Sequence, residues 1–239
     1  MQLLTKAIVL TALKYGDTSL IVKCYTQQLG IQSYMLKGVL KRGKGKLKSA
    51  YFQPLTQLEL VANHSKRTNL QTLKEASLYF AYDTIHTDYT KQTIAFFIAE
   101  MLANSVLEEE SNTALYTYIE TSLRWLDIQD KVANFPIVFI VHLTKFLGFF
   151  PKHTSYSATY FNLADGVFTD TFFVGDYLHG EDLILFKQVL GINFDTLHEM
   201  VLGVKSRQRL LDILFKYYSL HLFGFKTPKS IAILKNLFD

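Results

Sequence analysis

Residues 19–36 read SLIVKCYTQQLGIQSYML. Two short runs rich in β-branched and aromatic residues, 19–26 and 31–36, flank a Leu29-Gly30 turn signal, which is the pattern of strands and not of a helix. Upstream, KAIVLTALK (6–14) alternates only loosely and ends at a second turn signal, Tyr15-Gly16-Asp17. Downstream, Pro54 precedes LTQLELV, with apolar residues alternating at Leu58 and Leu60, and a fifth strand candidate lies at 69–76. Five short strands within about 75 residues suggest a small closed or partly open barrel of OB-fold size.

From about Asp83 the period changes. Segments 92–107, 113–128 and 133–149 carry apolar residues at i, i+3, i+4 and i+7, with few Gly or Pro. Glu108 to Asn112 end one helix and supply caps for the next. The most apolar run, FPIVFIVHLTKFLGFF (135–150), is sixteen residues long and holds His142 and Lys145. That is short for a membrane span and suits a buried helix. Pro151 stops it. Tyr160 to Phe168 then reads as a small hairpin turning at Asp165-Gly166. Helical patterning returns at 182–189 and 206–223, and 230–238 forms a closing helix. The expected fold is therefore α+β and multidomain: an all-β OB-fold barrel at 1–80, then a mainly helical domain at 81–239 with a β-hairpin insertion at about 151–180.

Charge divides the chain in the same place. The net charge is +4, yet residues 1–80 hold twelve Lys or Arg against three acids, and the remainder holds thirteen against eighteen. A balance of +9 followed by −5 points to a first module facing a polyanion. Cys24 is the single cysteine, which excludes an intramolecular disulfide and an all-Cys metal site and suggests a reducing, intracellular setting. No signal peptide is visible at 1–12. The sequon at Asn63-His64-Ser65 carries no meaning in that setting.

The cationic excess peaks in KGVLKRGKGKLKS (37–49), where six of the first twelve residues are basic, three are Gly and none is acidic. Gly38 and Gly43-Lys44 resemble a phosphate-cradling P-loop, but Gly45 stands where that motif needs Ser or Thr for magnesium, and the surroundings are all-β. A nucleic-acid backbone asks for less: reach, positive charge and a pliant chain. Small barrels bind single strands by adding stacking rings to such a track. Tyr15, Tyr25, Tyr34, Tyr51 and Phe52 flank the loop, each serving either as a stacking ring or, the more ordinary fate of each alone, as barrel core.

Catalytic and metal signals are poor. His198-Glu199 begins a zinc-protease pattern, but Leu202 replaces its second His. His142 and His153 have no cysteine nearby, His221 lies in the strongest amphipathic helix, no GxSxG elbow occurs, and Cys24 falls in a β-branched strand pattern that favours burial. The chain reads as a non-enzyme without a cofactor.

Three segments carry a family resemblance: AIVLTALKYGDTSLIVKCYTQQLG, YMLKGVLKRGKGKLKSAYFQPLTQLEL, and LLDILFKYYSLHLFGFKTPKSIAIL near the end. In order and spacing the chain resembles the RecO family of bacterial recombination mediators over nearly its whole length. The resemblance implies a cytoplasmic, nucleoid-associated protein that binds single- and double-stranded DNA and anneals complementary strands. It further implies work with RecR to displace single-strand-binding protein so that RecA can load. By position, the implied DNA contacts are Lys37, Lys41, Arg42, Lys44, Lys46 and Lys48, with Lys14, Lys23, Lys66 and Arg67 as a wider footprint and Tyr15, Tyr25 and Tyr34 as stacking candidates. The acidic tail of single-strand-binding protein would need a cationic rim, for which Lys205, Arg207, Arg209, Lys216, Lys226 and Lys229 are available. Many family members carry a four-cysteine zinc module after a Gly-Phe-x-Pro helix end. Here Gly148-Phe149-Phe150-Pro151 is followed by no cysteine. The expectation is a metal-free hairpin packed by Tyr156, Tyr160, Phe161 and Phe168. An RNA- or tRNA-binding accessory protein would share the same charge pattern and barrel.

Overall fold

In a computed structural model of the chain, residues 2–41, 47–65, 67–107, 110–152 and 157–237 are described. They fall into two compact units, Met1–Ile128 and Gln129–Asp239.

The first unit is built on a closed five-stranded barrel of strand order β1-β2-β3-β5-β4. β1 (Gln2–Tyr15) is long enough to serve two partners, pairing with β4 (Gln57–Asn63) through its first half and with β2 (Ser19–Thr26) through its second. An irregularity between Val9 and Thr11 bends it there, which turns the barrel's corner. β2 continues antiparallel into β3 (Gly30–Leu36), and a short parallel pairing of β3 with β5 (Leu70–Phe80) closes the ring. Alternation sends Val9, Val22, Cys24, Tyr34, Leu36, Leu58 and Leu60 into one apolar core. This is the OB-like barrel expected from the strand pattern. β1 and β5 run longer than the apolar alternation suggested, because their far ends face solvent on both sides.

Two helices belong to the same unit: α1 (Tyr89–Ser105) and α2 (Thr113–Ile128). Asp88 caps α1 by accepting the Lys91 N–H at 2.8 Å, and Asn112 caps α2 by accepting that of Leu115 at 2.9 Å. The segment joining barrel to helices is held by a buried polar knot. The Asp127 carboxylate accepts the backbone N–H groups of Asp83, Thr84 and Ile85 at 2.9, 2.8 and 3.0 Å. The buried Lys91 ammonium donates to Thr84 Oγ1 and to the Asp127 carbonyl, both at 2.7 Å.

The second unit packs α3 (Phe135–Phe146), α4 (Gly180–Leu190) and α5 (Val204–His221) with a three-stranded sheet of order β7-β6-β8. These strands are β6 (Tyr160–Asn162), β7 (Val167–Thr169) and β8 (Tyr177–Leu178); a short α6 (Ile231–Leu237) follows. The hairpin of β6 and β7 matches the sequence expectation, whereas the two-residue β8 is too short to leave a pattern. Phe161 anchors the sheet, with ring centroids 4.7 Å from Phe168 and 4.8 Å from Phe186. Tyr160 instead meets Phe172 and Tyr177, and Tyr156 lies outside the described residues. Gly166 adopts φ +66°, and a Cβ there would sit 2.7 Å from the Tyr217 hydroxyl, so only glycine fits this turn. α3 is buried nearly all round, and no helix among the described residues is long and apolar enough to cross a membrane.

Candidate nucleic-acid interface

The register of the barrel decides which cations meet. Lys14 pairs with Leu20, and Leu20 with Leu36, so Lys14 and Lys37 lie at the same end of the two strands that flank β2. The basic loop is stitched to the β1–β2 turn there: the Leu40 N–H donates to the Thr18 carbonyl at 2.9 Å and that of Gly38 to Ser19 Oγ at 3.3 Å. Gly38 adopts φ +71°, and the Lys41 stem folds over it, 3.7 Å from where a Cβ would be. Lys14, Tyr15, Lys37 and Lys41 are all exposed at this rim, with Asp17 the acid in the turn. Lys48, at the loop's return, is exposed with its ammonium 5.6 Å from the Tyr51 ring, and Tyr51 packs against the barrel core. Arg42, Lys44, Lys46 and Lys66 lie outside the described residues.

Other candidates are placed elsewhere. Lys23 faces outward from β2, but its ammonium donates to the Ala103 carbonyl at 3.0 Å and burial lowers its pKa. It anchors a helix instead of meeting a phosphate. Tyr25 also faces outward, yet it is covered by α2: its ring lies 6.1 Å from that of Tyr116 and its hydroxyl donates to the Asn112 carbonyl at 3.2 Å. Tyr34 and Phe52 point into the barrel core. Tyr25 and Tyr34 therefore cannot stack on a base in this structure, and of the three named rings only Tyr15, 58% exposed, is accessible. Arg67 sits on the β4–β5 loop, which follows Asn63 opposite Gln2, at the other end of β1 from Lys14. The structure does not bring it to the rim. Lys6 and Lys74 are turned to the Tyr79 hydroxyl and to Gln2.

A cleft of about 630 Å³ opens beside the β4–β5 loop, with Lys23, Gln32, Ser33, His64 and Gln71 in its wall. The Gln71 amide braces the loop, accepting from the Ser65 N–H and donating to the Ser65 and Thr68 carbonyls. Sequence inspection missed this cleft and the Asp127–Lys91 knot, since both join residues dozens of positions apart.

In the helical unit the tail-binding candidates are spread along α5 and beyond. Arg209 forms a two-pronged pair with Asp182 at 2.8 and 2.5 Å, which holds that carboxyl below its usual range, and Lys216 lies 3.1 Å from Asp176. Arg207 donates to the Leu202 carbonyl at 2.6 Å, and Lys205, Lys226 and Lys229 are exposed. His221 packs, lying flat on Phe149 with its Nε2 2.8 Å from the Leu163 carbonyl. His198 and Glu199 are exposed on a single turn. Among the described residues no three His, Cys, Asp or Glu side chains are grouped to hold a metal, and His153 lies outside them.

Fold and rim together define an OB-like-barrel protein with a basic loop at one end of the barrel and a helical C-terminal part. The family descriptions that match are Recombination protein O N terminal over residues 1–82 and Recombination protein O C terminal over 86–230. The chain belongs to the RecO family of DNA repair proteins. Relatives named DNA repair protein RecO include one from Christiangramia forsetii, 46% identical across 98% of both chains. Those from Flavobacterium psychrophilum and Bacteroides fragilis are 42% identical across 100% of both chains and 36% identical across 98% of both.

Proposed function

We propose that this protein is a non-enzymatic recombination mediator that binds single- and double-stranded DNA, anneals complementary strands, and works with RecR to help RecA load onto strands coated with single-strand-binding protein. The observation that carries the reading is the convergence of Lys14, Lys37 and Lys41 on one rim of the barrel, next to a loop whose remaining charges are all positive. Annealing two polyanions needs no covalent step. Cations along the glycine-rich stretch 37–49 release counterions from both backbones and lower their repulsion, and contacts blind to sequence let the strands slide into register. Arg207, Arg209, Lys216, Lys226 and Lys229 are the candidates for an acidic protein tail, which at Arg209 and Lys216 would exchange for Asp182 and Asp176.

The test is annealing of complementary oligonucleotides coated with single-strand-binding protein, with and without this protein and without ATP. Acceleration is expected, and the variant with Lys41, Arg42, Lys44 and Lys46 all changed to Glu is expected to lose it. A folded protein that accelerates nothing would overturn the mediator reading. A marked preference for ribo-oligonucleotides would transfer it to RNA.

A further inference from the structure

Neighbours along a strand point to opposite faces of a sheet, and residues opposite one another across strands share a face. In the small sheet of the second unit, Phe168, Phe161 and Leu178 lie in one row across β7, β6 and β8. All three are buried, and Phe161 packs on Phe186 of α4. Tyr160 and Tyr177 therefore stand on the other face, Tyr177 opposite Asn162 and Tyr160 two residues along β6 from it. Phe172, from the loop after β7, leans on both. Ring centroids are 5.9 Å apart for Tyr160–Phe172, 5.6 Å for Tyr160–Tyr177 and 5.7 Å for Phe172–Tyr177, with the rings at 68°, 84° and 79° to one another. The cluster stays open to water: Phe172 is 60% exposed, nearby Val174 is 95% exposed, and both tyrosines are half-buried. An exposed group of rings with a polar border marks a contact site on a folded protein.

We infer that this open sheet face, Tyr160–Tyr177–Phe172 with Val174, docks an arginine-bearing segment of a partner protein. Charge decides the occupant. Residues 153–186 hold five acids, Asp165, Asp170, Asp176, Glu181 and Asp182, and no Lys or Arg. Asp170 lies two residues before Phe172 and Asp176 one before Tyr177, so carboxylates border the rings along the chain. Such a border repels a polyanion, which turns away both nucleic acid and an acidic protein tail. It attracts a cation, and the ring faces take a guanidinium better than an ammonium, because the guanidinium is planar and more weakly hydrated. Lys216, reaching in from α5, already sets an ammonium 3.1 Å from Asp176, with both side chains about half exposed. Asp170 instead accepts from the Thr159 N–H and hydroxyl at 3.0 and 3.1 Å and keeps its charge for a partner. The contact is separate from the DNA-binding reading and does not rest on it.

The probes are two labelled peptides of equal length and charge, one alternating Arg with Gly and the other Lys with Gly, titrated against the full chain at low salt. The Arg peptide is expected to bind about fivefold or more tighter than the Lys peptide, the scale of one or two cation–π contacts. The double variant Phe172→Ser, Val174→Ser alters two exposed positions and no charge. It is expected to lose the preference for Arg while its circular dichroism and thermal unfolding stay unchanged. Asp176→Asn should weaken both peptides alike. Equal binding of the two peptides by the unaltered protein would overturn the inference, as would a preference that survives in the folded Ser variant. Sedimentation of the protein alone supplies the remaining outcome: self-association that the Ser variant abolishes would overturn the inference in favour of a second copy of this chain.

Discussion

Asp127 shows how one residue joins two parts of the fold. Burial alone would raise its carboxyl pKa, but backbone N–H groups of Asp83, Thr84 and Ile85 and the Thr84 hydroxyl favour the charged form, and the net shift is downward. A carboxyl depressed in the folded state contributes stability that is present above the unfolded pKa and is lost as pH falls through the folded one. Asp127→Ala should therefore cost about 3 kcal/mol at neutral pH, the scale of charged hydrogen bonds left unmade. Urea denaturation should show that difference shrinking below about pH 4. Cys24 gives a second residue-scale test. It is fully buried, and desolvation pushes its thiol pKa far up. A thiol-reactive dye should leave the native protein unlabelled and label it promptly in denaturant.

At the scale of elements, the hairpin of β6 and β7 is fastened to α5 by one close approach. Tyr217 donates its hydroxyl to the Phe149 carbonyl at 2.6 Å and occupies the space that a side chain on residue 166 would need. Gly166→Ala should destabilise the protein by about 1–3 kcal/mol, from backbone strain and that collision. Combining it with Tyr217→Phe should cost less than the two separate losses summed, which thermal denaturation of the four proteins would reveal. β2 supplies the complementary case. Lys23 holds α1, so Lys23→Ala should lower stability while leaving the salt dependence of DNA binding unchanged, unlike Lys37→Ala or Lys41→Ala. The element types themselves were readable: the strands of the barrel from β-branched runs and turns, α2 and α5 from their 3.6-residue period. Helix α3 was readable as buried because it is apolar on every side. β8 was not, since two residues carry no period.

For the whole molecule, the relevant quantity is the distribution of charge. With +9 on the first 80 residues and −5 on the rest, DNA affinity should fall steeply with salt. Each phosphate contact removed from the rim should flatten the slope of log affinity against log salt by about 0.7 on single strands. An unchanged slope in the variant with Lys41, Arg42, Lys44 and Lys46 changed to Glu would place the DNA elsewhere.

What the amino-acid sequence determined by itself was whatever is local or summed. That includes the change from a strand period to a helix period near residue 83, the concentration of positive charge at 37–48, and the confinement of cysteine to position 24. Side-chain fate was decided only in the tertiary structure. Tyr15, Tyr25 and Tyr34 look alike as aromatic residues in or beside strands, yet one is exposed, one lies beneath a helix and one is in the core. The β1 irregularity at Val9–Thr11, the register that aligns Leu13 with Ile21 and Met35, and the placement of Ala103, Asn112 and Tyr116 against β2 make that choice. Burial is a property of what packs against a residue, and here the packing partner lies as many as 91 positions away.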